Sequence, residues 1–198
     1  MAITLPQLTV TGSPHAMGQQ YGAHFREMIR PFVEDRVTAV TTYLRDTGHE
    51  GTDRLFEAGA ACLDLVKSFH PDGYAEHMGI AEGAGIAPVR LFTTANMTDV
   101  RDIIAYPGDP VVVEDEGCTV GLLPPSSSAN GHALQGQTWD LNGPDVEYVI
   151  ALHRLPDEGP ESWTVTCSVC LTLMGMYQHG VSVGTTNRKS YGSKVGVP

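Results

Sequence analysis

A chain of 198 residues, 41% hydrophobic and 18% charged, has the composition of a globular domain or part of one. Its net charge of −11, from 23 acidic against 12 basic side chains, disfavours nucleic acid and anionic membranes as partners. There is no run of the roughly 20 apolar residues that spans a bilayer, and the opening Met1–Pro6 lacks the basic and apolar regions of a secretory signal.

The expected location is therefore cytoplasmic. Free thiols are then expected at Cys62, Cys118, Cys167 and Cys170. Acidity is concentrated early: residues 1–117 hold 17 acidic and 8 basic side chains, residues 118–198 only 6 and 4.

The first half reads as helical. After a short β-like entry, Met17, Tyr21, Phe25, Met28 and Ile29 recur at spacings of three and four, as on one helix face. Gly18 and Gly22 fall on a neighbouring stripe and leave room for a close partner. Pro31 is expected to open the next helix, with Phe32, Val33, Val37, Val40 and Leu44 as its apolar positions. Thr52 or Asp53 can cap a third, carrying Leu55, Phe56, Cys62, Leu63 and Val66. Pro71-Asp72-Gly73 introduces a fourth, around Tyr74 to Ala84. A short fifth is expected from Pro88 to about Met97.

From residue 118 the texture is β. Strands are expected over 118–123, 132–138, 148–154, 163–169, 173–177 and 181–186. Pro124–Gly131 is a loop between the first two, and Asn130-Gly131 and His179-Gly180 fit tight turns. The layout is α+β, a helical segment 1–117 followed by a mostly antiparallel sheet in 118–198, two segments of one domain. Five or six strands are few for two packed sheets, and Lys194–Pro198 reads as a passage between elements. A longer polypeptide is expected.

Chemistry points to Asp115-Glu116-Gly117-Cys118-Thr119, followed by Gln135-Gly136-Gln137-Thr138-Trp139-Asp140. If the Gly117–Cys118 bond breaks, Cys118 gains an α-amine beside its thiol. An α-amine has a pKa of about 7.7–8.0, so it can carry the thiol's proton without a histidine. The same thiol can cut the chain by attacking the Gly117 carbonyl, giving a thioester that water resolves. Taken alone, Gly-Cys-Thr at a strand start is also the pattern of an ordinary core cysteine.

Three motifs in order, Glu116–Thr119, Ala133–Asp140 and Gly180–Asn187, together with Gly12–Gly22 and Ala81–Gly85, resemble the isopenicillin-N acyltransferase family. That family is a branch of the N-terminal-nucleophile (Ntn) hydrolases related to the choloylglycine hydrolases. The resemblance runs over nearly the whole chain. It implies an αββα sandwich, self-cleavage between Gly117 and Cys118, and amide hydrolysis or acyl transfer through a thioester on Cys118. It makes Asp140 the group that orients the new amine, and it places Asn187 near the oxyanion. Thr119 and Gln137 fall on the substrate side. Gln137 stands where choloylglycine hydrolases carry an arginine, a departure that argues against bile-salt-like substrates.

The partners implied are a small-molecule amide and the chain's own other fragment, with a homo-oligomer as a further option. No metal or organic cofactor is required. Two rivals stay open: a non-catalytic α+β binding protein that keeps the fold uncut, and a thiol enzyme pairing Cys118 with His132 or His179. Cys167-x-x-Cys170 has no second ligand pair and reads as buried strand. Glu114–Glu116 reads as a solvated linker, Gly83-Ala84-Gly85 lacks the rest of a phosphate loop, and Met174 and Met176 read as core filling.

Overall fold

A computed structural model describes residues 4–49, 52–106, 118–141, 143–186 and 192–198. After one opening strand, helices come first and the rest of the sheet second, an α+β architecture. The chain runs β1 (Gln7–Gly12), α1 (Pro14–His24), α2 (Arg26–Asp46), α3 (Thr52–Phe69), α4 (Pro71–Ala84), α5 (Pro88–Ala95) and α6 (Met97–Ala105). The strands β2 (Val120–Leu123), β3 (Leu134–Gln137), β4 (Val149–Pro156), β5 (Ser162–Cys167), β6 (Met174–Tyr177) and β7 (Ser182–Val183) follow. No helix among the described residues is long and apolar enough to cross a membrane.

Five strands form one sheet in the order β1-β4-β5-β6-β7, and β2 and β3 form a separate hairpin. All pairings are antiparallel except β1 with β4, which run parallel from Gln7↔Ala151 to Gly12↔Pro156. That pairing ties the first strand of the chain into a sheet whose other strands all follow residue 148. The sequence segments 1–117 and 118–198 therefore share one core, in which Val10, Tyr21, Ile29 and Leu91 pack with Ile150, Leu152 and Val169. Burying each large aliphatic side chain of such a set contributes about 1.5–3 kcal/mol.

Strand periodicity separates the two faces of the sheet. Along β4, Ile150, Leu152 and Arg154 are buried, facing the helices, with Thr166, Thr164 and Ser162 opposite them on β5. Ala151 and His153 face the other way, opposite Val165 and Trp163. On that second face Trp163 and Met176, paired across β5 and β6, are 40% and 51% exposed, so apolar surface here is only partly covered.

The tightest helix pair is α1 on α4. A Cβ on Gly18 would sit 2.0 Å from the Glu76 carbonyl oxygen, and one on Gly22 would sit 2.2 Å from that of Ile80. From the other side, Cβ atoms on Gly79 and Gly83 would meet the carbonyl oxygens of His15 and Gln19 at 2.2 and 2.4 Å. Two of these four glycines were legible as a small-residue stripe. Their partners on α4 complete the contact.

The first two helices divide differently from the expected pattern. The break falls at Phe25, and Pro31 lies inside α2. Proline removes one helix hydrogen bond, but Ile29, Phe32 and Val33 are all buried on one continuous stripe through that point. Core burial along the stripe outweighs the lost bond. The break at Phe25 in turn lets Arg26 and Arg30 donate to the carbonyls of Gly83 (2.7 and 3.0 Å) and Ala84 (2.9 Å) at the end of α4. The expected fifth helix stops at Ala95, and α6 follows after Asn96.

The expected tight turns form at both places. Gly131 and Gly180 adopt φ of +70° and +82°, left-handed values that suit glycine. β4, at Val149–Pro156, runs one residue longer than expected; the other strands after residue 118 are shorter, β7 reduced to two residues.

Candidate functional site

The hairpin carrying the candidate nucleophile pairs Val120 with Gln137 and Leu123 with Leu134. Its open end is extended by two bonds between threonines. The Thr138 N–H donates to the Thr119 carbonyl (2.8 Å), and the Thr119 N–H donates to Thr138 Oγ1 (3.0 Å). Carried one residue further, this register sets Cys118 opposite Trp139, with Asp140 next along the chain. Cys118 is a half-buried free thiol, while Thr119 and Asp140 are exposed. Trp139 and Leu141 pack against the main core on either side of Asp140, which fixes the backbone there and turns the carboxylate outward.

At its closed end the hairpin turns through Pro124–Gly131. Asn130 Oδ1 accepts from Ser128 Oγ (2.6 Å) and from the His132 N–H (3.1 Å), a local side-chain turn of the kind asparagine favours. His132 thus lies at the opposite end of the hairpin from Cys118. At about 3.4 Å per strand residue the two are on the order of 20 Å apart along it, so no dyad with His132 forms. His179 is exposed in the turn between β6 and β7.

Gln137 joins the hairpin to the segment after β7. Its NH2 donates to the Thr185 carbonyl (3.1 Å) and its Oε1 accepts from the Thr185 N–H (3.0 Å), so the amide imitates a strand neighbour. Gln135 repeats the device one step away. With its amide oriented to match the donors and acceptors around it, its oxygen accepts from the Gly184 N–H (2.6 Å) and its nitrogen donates to the Ser182 carbonyl (3.2 Å). Gly184 lies close between them: a Cβ there would stand 2.5 Å from the amide ends of both glutamines, which would have to shift. Gln137, expected on the substrate side, is therefore committed to positioning the chain two residues before Asn187. Asn187 and Gly117 themselves lie outside the described residues, as does the acidic run Glu114–Glu116.

Between the hairpin and the second face of the main sheet is a cavity of about 570 Å³, walled by Gln135, Gln137, His153, Trp163, Met174 and Met176, among others. His153 stacks on Trp163 with ring centroids 4.8 Å apart and pairs with Glu161 at 2.5 Å. Both methionines expected as core filling thus line this cavity. Cys118 does not line it.

The Cys167–Cys170 pair is structural in its setting. Both thiols are buried, and desolvation pushes both above the ordinary thiol pKa, that of Cys170 to about 12. The Cys170 S–H donates to the Ala95 carbonyl (3.4 Å). Beside them the buried Tyr21 hydroxyl bridges the carbonyls of Cys167 (3.2 Å) and Cys170 (3.0 Å).

One polar centre escaped the sequence reading. Arg154 on β4 faces the helices, where it donates to Glu76 Oε1 (2.8 Å), Thr164 Oγ1 (2.7 Å) and the Leu171 carbonyl. The signal was present: alternation puts residue 154 on the same face as Ile150 and Leu152, and a charge there needs a buried partner. Glu76 supplies it from α4.

No protein-family model matches this chain, and no curated protein matches it by sequence.

Proposed function

We propose that the chain is part of a cysteine Ntn hydrolase, made as a precursor that cuts itself before Cys118, with the αββα sandwich as its complete fold. One observation supports this most: Cys118 is a half-buried thiol at the mouth of a hairpin whose register, carried one residue further, sets it opposite Trp139, with Asp140 next along the chain. In maturation the Cys118 thiolate attacks the Gly117 carbonyl carbon. The Gly117–Cys118 C–N bond breaks as the proton passes to the departing nitrogen, leaving a thioester and a free α-amine. Water then hydrolyses the thioester, which releases the Gly117 carboxylate and restores the thiol.

In turnover the same thiol attacks the carbonyl of a small amide. The α-amine takes the thiol proton and returns it to the leaving nitrogen, and Asp140 holds the ammonium form by a charge-assisted hydrogen bond. Asn187 donates to the developing oxyanion, and Thr119 lies on the substrate side. Hydrolysis is the default over acyl transfer, because transfer would need a site that favours an amine acceptor over water. No metal or organic cofactor enters either sequence. The two fragments would stay together through the β1–β4 pairing and the shared core.

The test is intact-protein mass spectrometry of the wild type beside Cys118→Ala, with a burst assay on an activated amide or thioester. Two fragments parted at Gly117–Cys118 and a stoichiometric burst support the reading. An uncut chain with no burst favours a binding protein of the same fold.

A further inference from the structure

Away from the hairpin, a cleft of about 260 Å³ lies between α2 and α6, lined by Arg36, Ala39, Val40 and Tyr43 of α2 and by Met97, Thr98 and Arg101 of α6. We propose that this cleft binds a small oxyanion, a carboxylate or a phosphate, independently of Cys118. Among the described residues, the charged side chains that line it are the two arginines, in a chain whose net charge is −11.

The arginines are held from outside the cleft. Asp145, whose side chain is 12% exposed, accepts from Arg36 Nη1 at 3.1 Å. Asp102, 6% exposed, accepts from Arg101 Nε and Nη2 at 2.8 and 2.5 Å. Neither carboxylate lines the cleft. A guanidinium carries five N–H donors in a fixed fork, so each arginine keeps donors for a ligand after serving its aspartate.

Aromatic rings fix the guanidinium planes further: Arg101 lies 5.2 Å over the Tyr43 ring and Arg36 lies 5.9 Å from the Phe32 ring centre. The Tyr43 hydroxyl is itself tied to that of Tyr106 at 2.5 Å. Donors immobilised before the ligand arrives cost little further ordering on binding. Carboxylate and phosphate are the groups whose geometry matches a guanidinium fork. The cleft has room for on the order of eight water-sized groups, at roughly 30 Å³ each. Val40 and Met97 give it an apolar wall for a short carbon chain.

The experiment is isothermal titration of the 198-residue chain with malonate and with phosphate, chloride being adjusted to hold ionic strength constant. It is repeated on Ala39→Glu and Ala39→Gln. Ala39 is exposed on α2, and both replacements are good helix formers, so circular dichroism is expected to be unchanged. Saturable binding of at least one anion by the wild type and Ala39→Gln, weakened tenfold or more in Ala39→Glu, is the expected result. Which anion binds identifies the ligand class. Wild-type heats equal to dilution for both anions, or equal binding by all three proteins, would overturn the assignment.

Discussion

Gly22 of α1 and Ile80 of α4 meet so closely that a methyl group on the glycine would stand 2.2 Å from the Ile80 carbonyl oxygen. The obstacle is helix backbone, which cannot swing aside as a side-chain tip can. Gly22→Ala must therefore push α1 off α4 and with it the buried Tyr21, whose hydroxyl holds the Cys167–Cys170 turn. We expect a loss of about 2–3 kcal/mol, at the upper end of overpacking costs, read as a lower urea midpoint. Gly143→Ala, at a position with open space, is the control and should stay within about 0.5 kcal/mol.

Arg154 and Glu76 make a second bridge between helices and sheet. Removing one partner strands a buried charge, at a cost of about 3–5 kcal/mol. Arg154→Met should show that loss in chemical denaturation, and Arg154→Met with Glu76→Gln should recover a substantial part of it. A double variant no better than the single one would show that the packing of the guanidinium matters more than its charge.

His77 gives stability a pH dependence. It is 4% exposed, its Nε2–H donates to the Pro88 carbonyl (2.9 Å), and burial lowers its pKa from the ordinary 6.5. Below pH 6.5 the unfolded chain takes up a proton that the folded chain resists. Stability is therefore fully present above about 6.5 and falls as pH drops towards the folded pKa, by at most about 1.4 kcal/mol per pH unit from this group. Melting temperatures of the wild type should fall over that range more steeply than those of His77→Gln, which keeps a donor but does not titrate. Parallel curves would remove His77 from the account.

The four thiols should separate chemically. Cys62, Cys167 and Cys170 are 2%, 6% and 9% exposed, and burial raises the pKa of the latter two. Thiolate is the reactive form, so iodoacetamide on the folded chain should label Cys118 at least tenfold faster than the others. Peptide mapping reads this directly. Comparable labelling of Cys170 would mean that the turn held by Tyr21 opens readily.

Much of the helical half was legible, because periodic apolar residues report the face that a helix buries. Leu55, Cys62 and Leu63 are inward as their spacing implied. Pro31 misled, since local propensity places a proline at a helix start, whereas the stripe of Ile29, Phe32 and Val33 carries the helix through it. The parallel pairing of β1 with β4 joins residues about 144 apart, which local sequence does not encode. At the candidate site, the sequence motif singles out Cys118, Thr119 and Asp140, and the pairing of Thr119 with Thr138 is compatible with the two strands expected there. The commitment of Gln137 to Thr185 was not legible, because it depends on how the β7 segment docks beside the hairpin.

Asp140 tests the site beyond the nucleophile. A charge-assisted hydrogen bond contributes about 1.5–3 kcal/mol, so Asp140→Asn should slow turnover of an activated amide roughly 10- to 100-fold while leaving the fold intact at this exposed position. Unchanged turnover would remove Asp140 from the mechanism.

The central claim is that Cys118 becomes a chain terminus. The most direct measurement is the intact mass of the purified wild type after incubation under maturing conditions, with Cys118→Ala alongside. The account predicts fragments ending at Gly117 and beginning at Cys118 in the wild type, and a single uncut chain in the variant. A wild-type chain that stays whole, or a variant that is cut at the same bond, would contradict it.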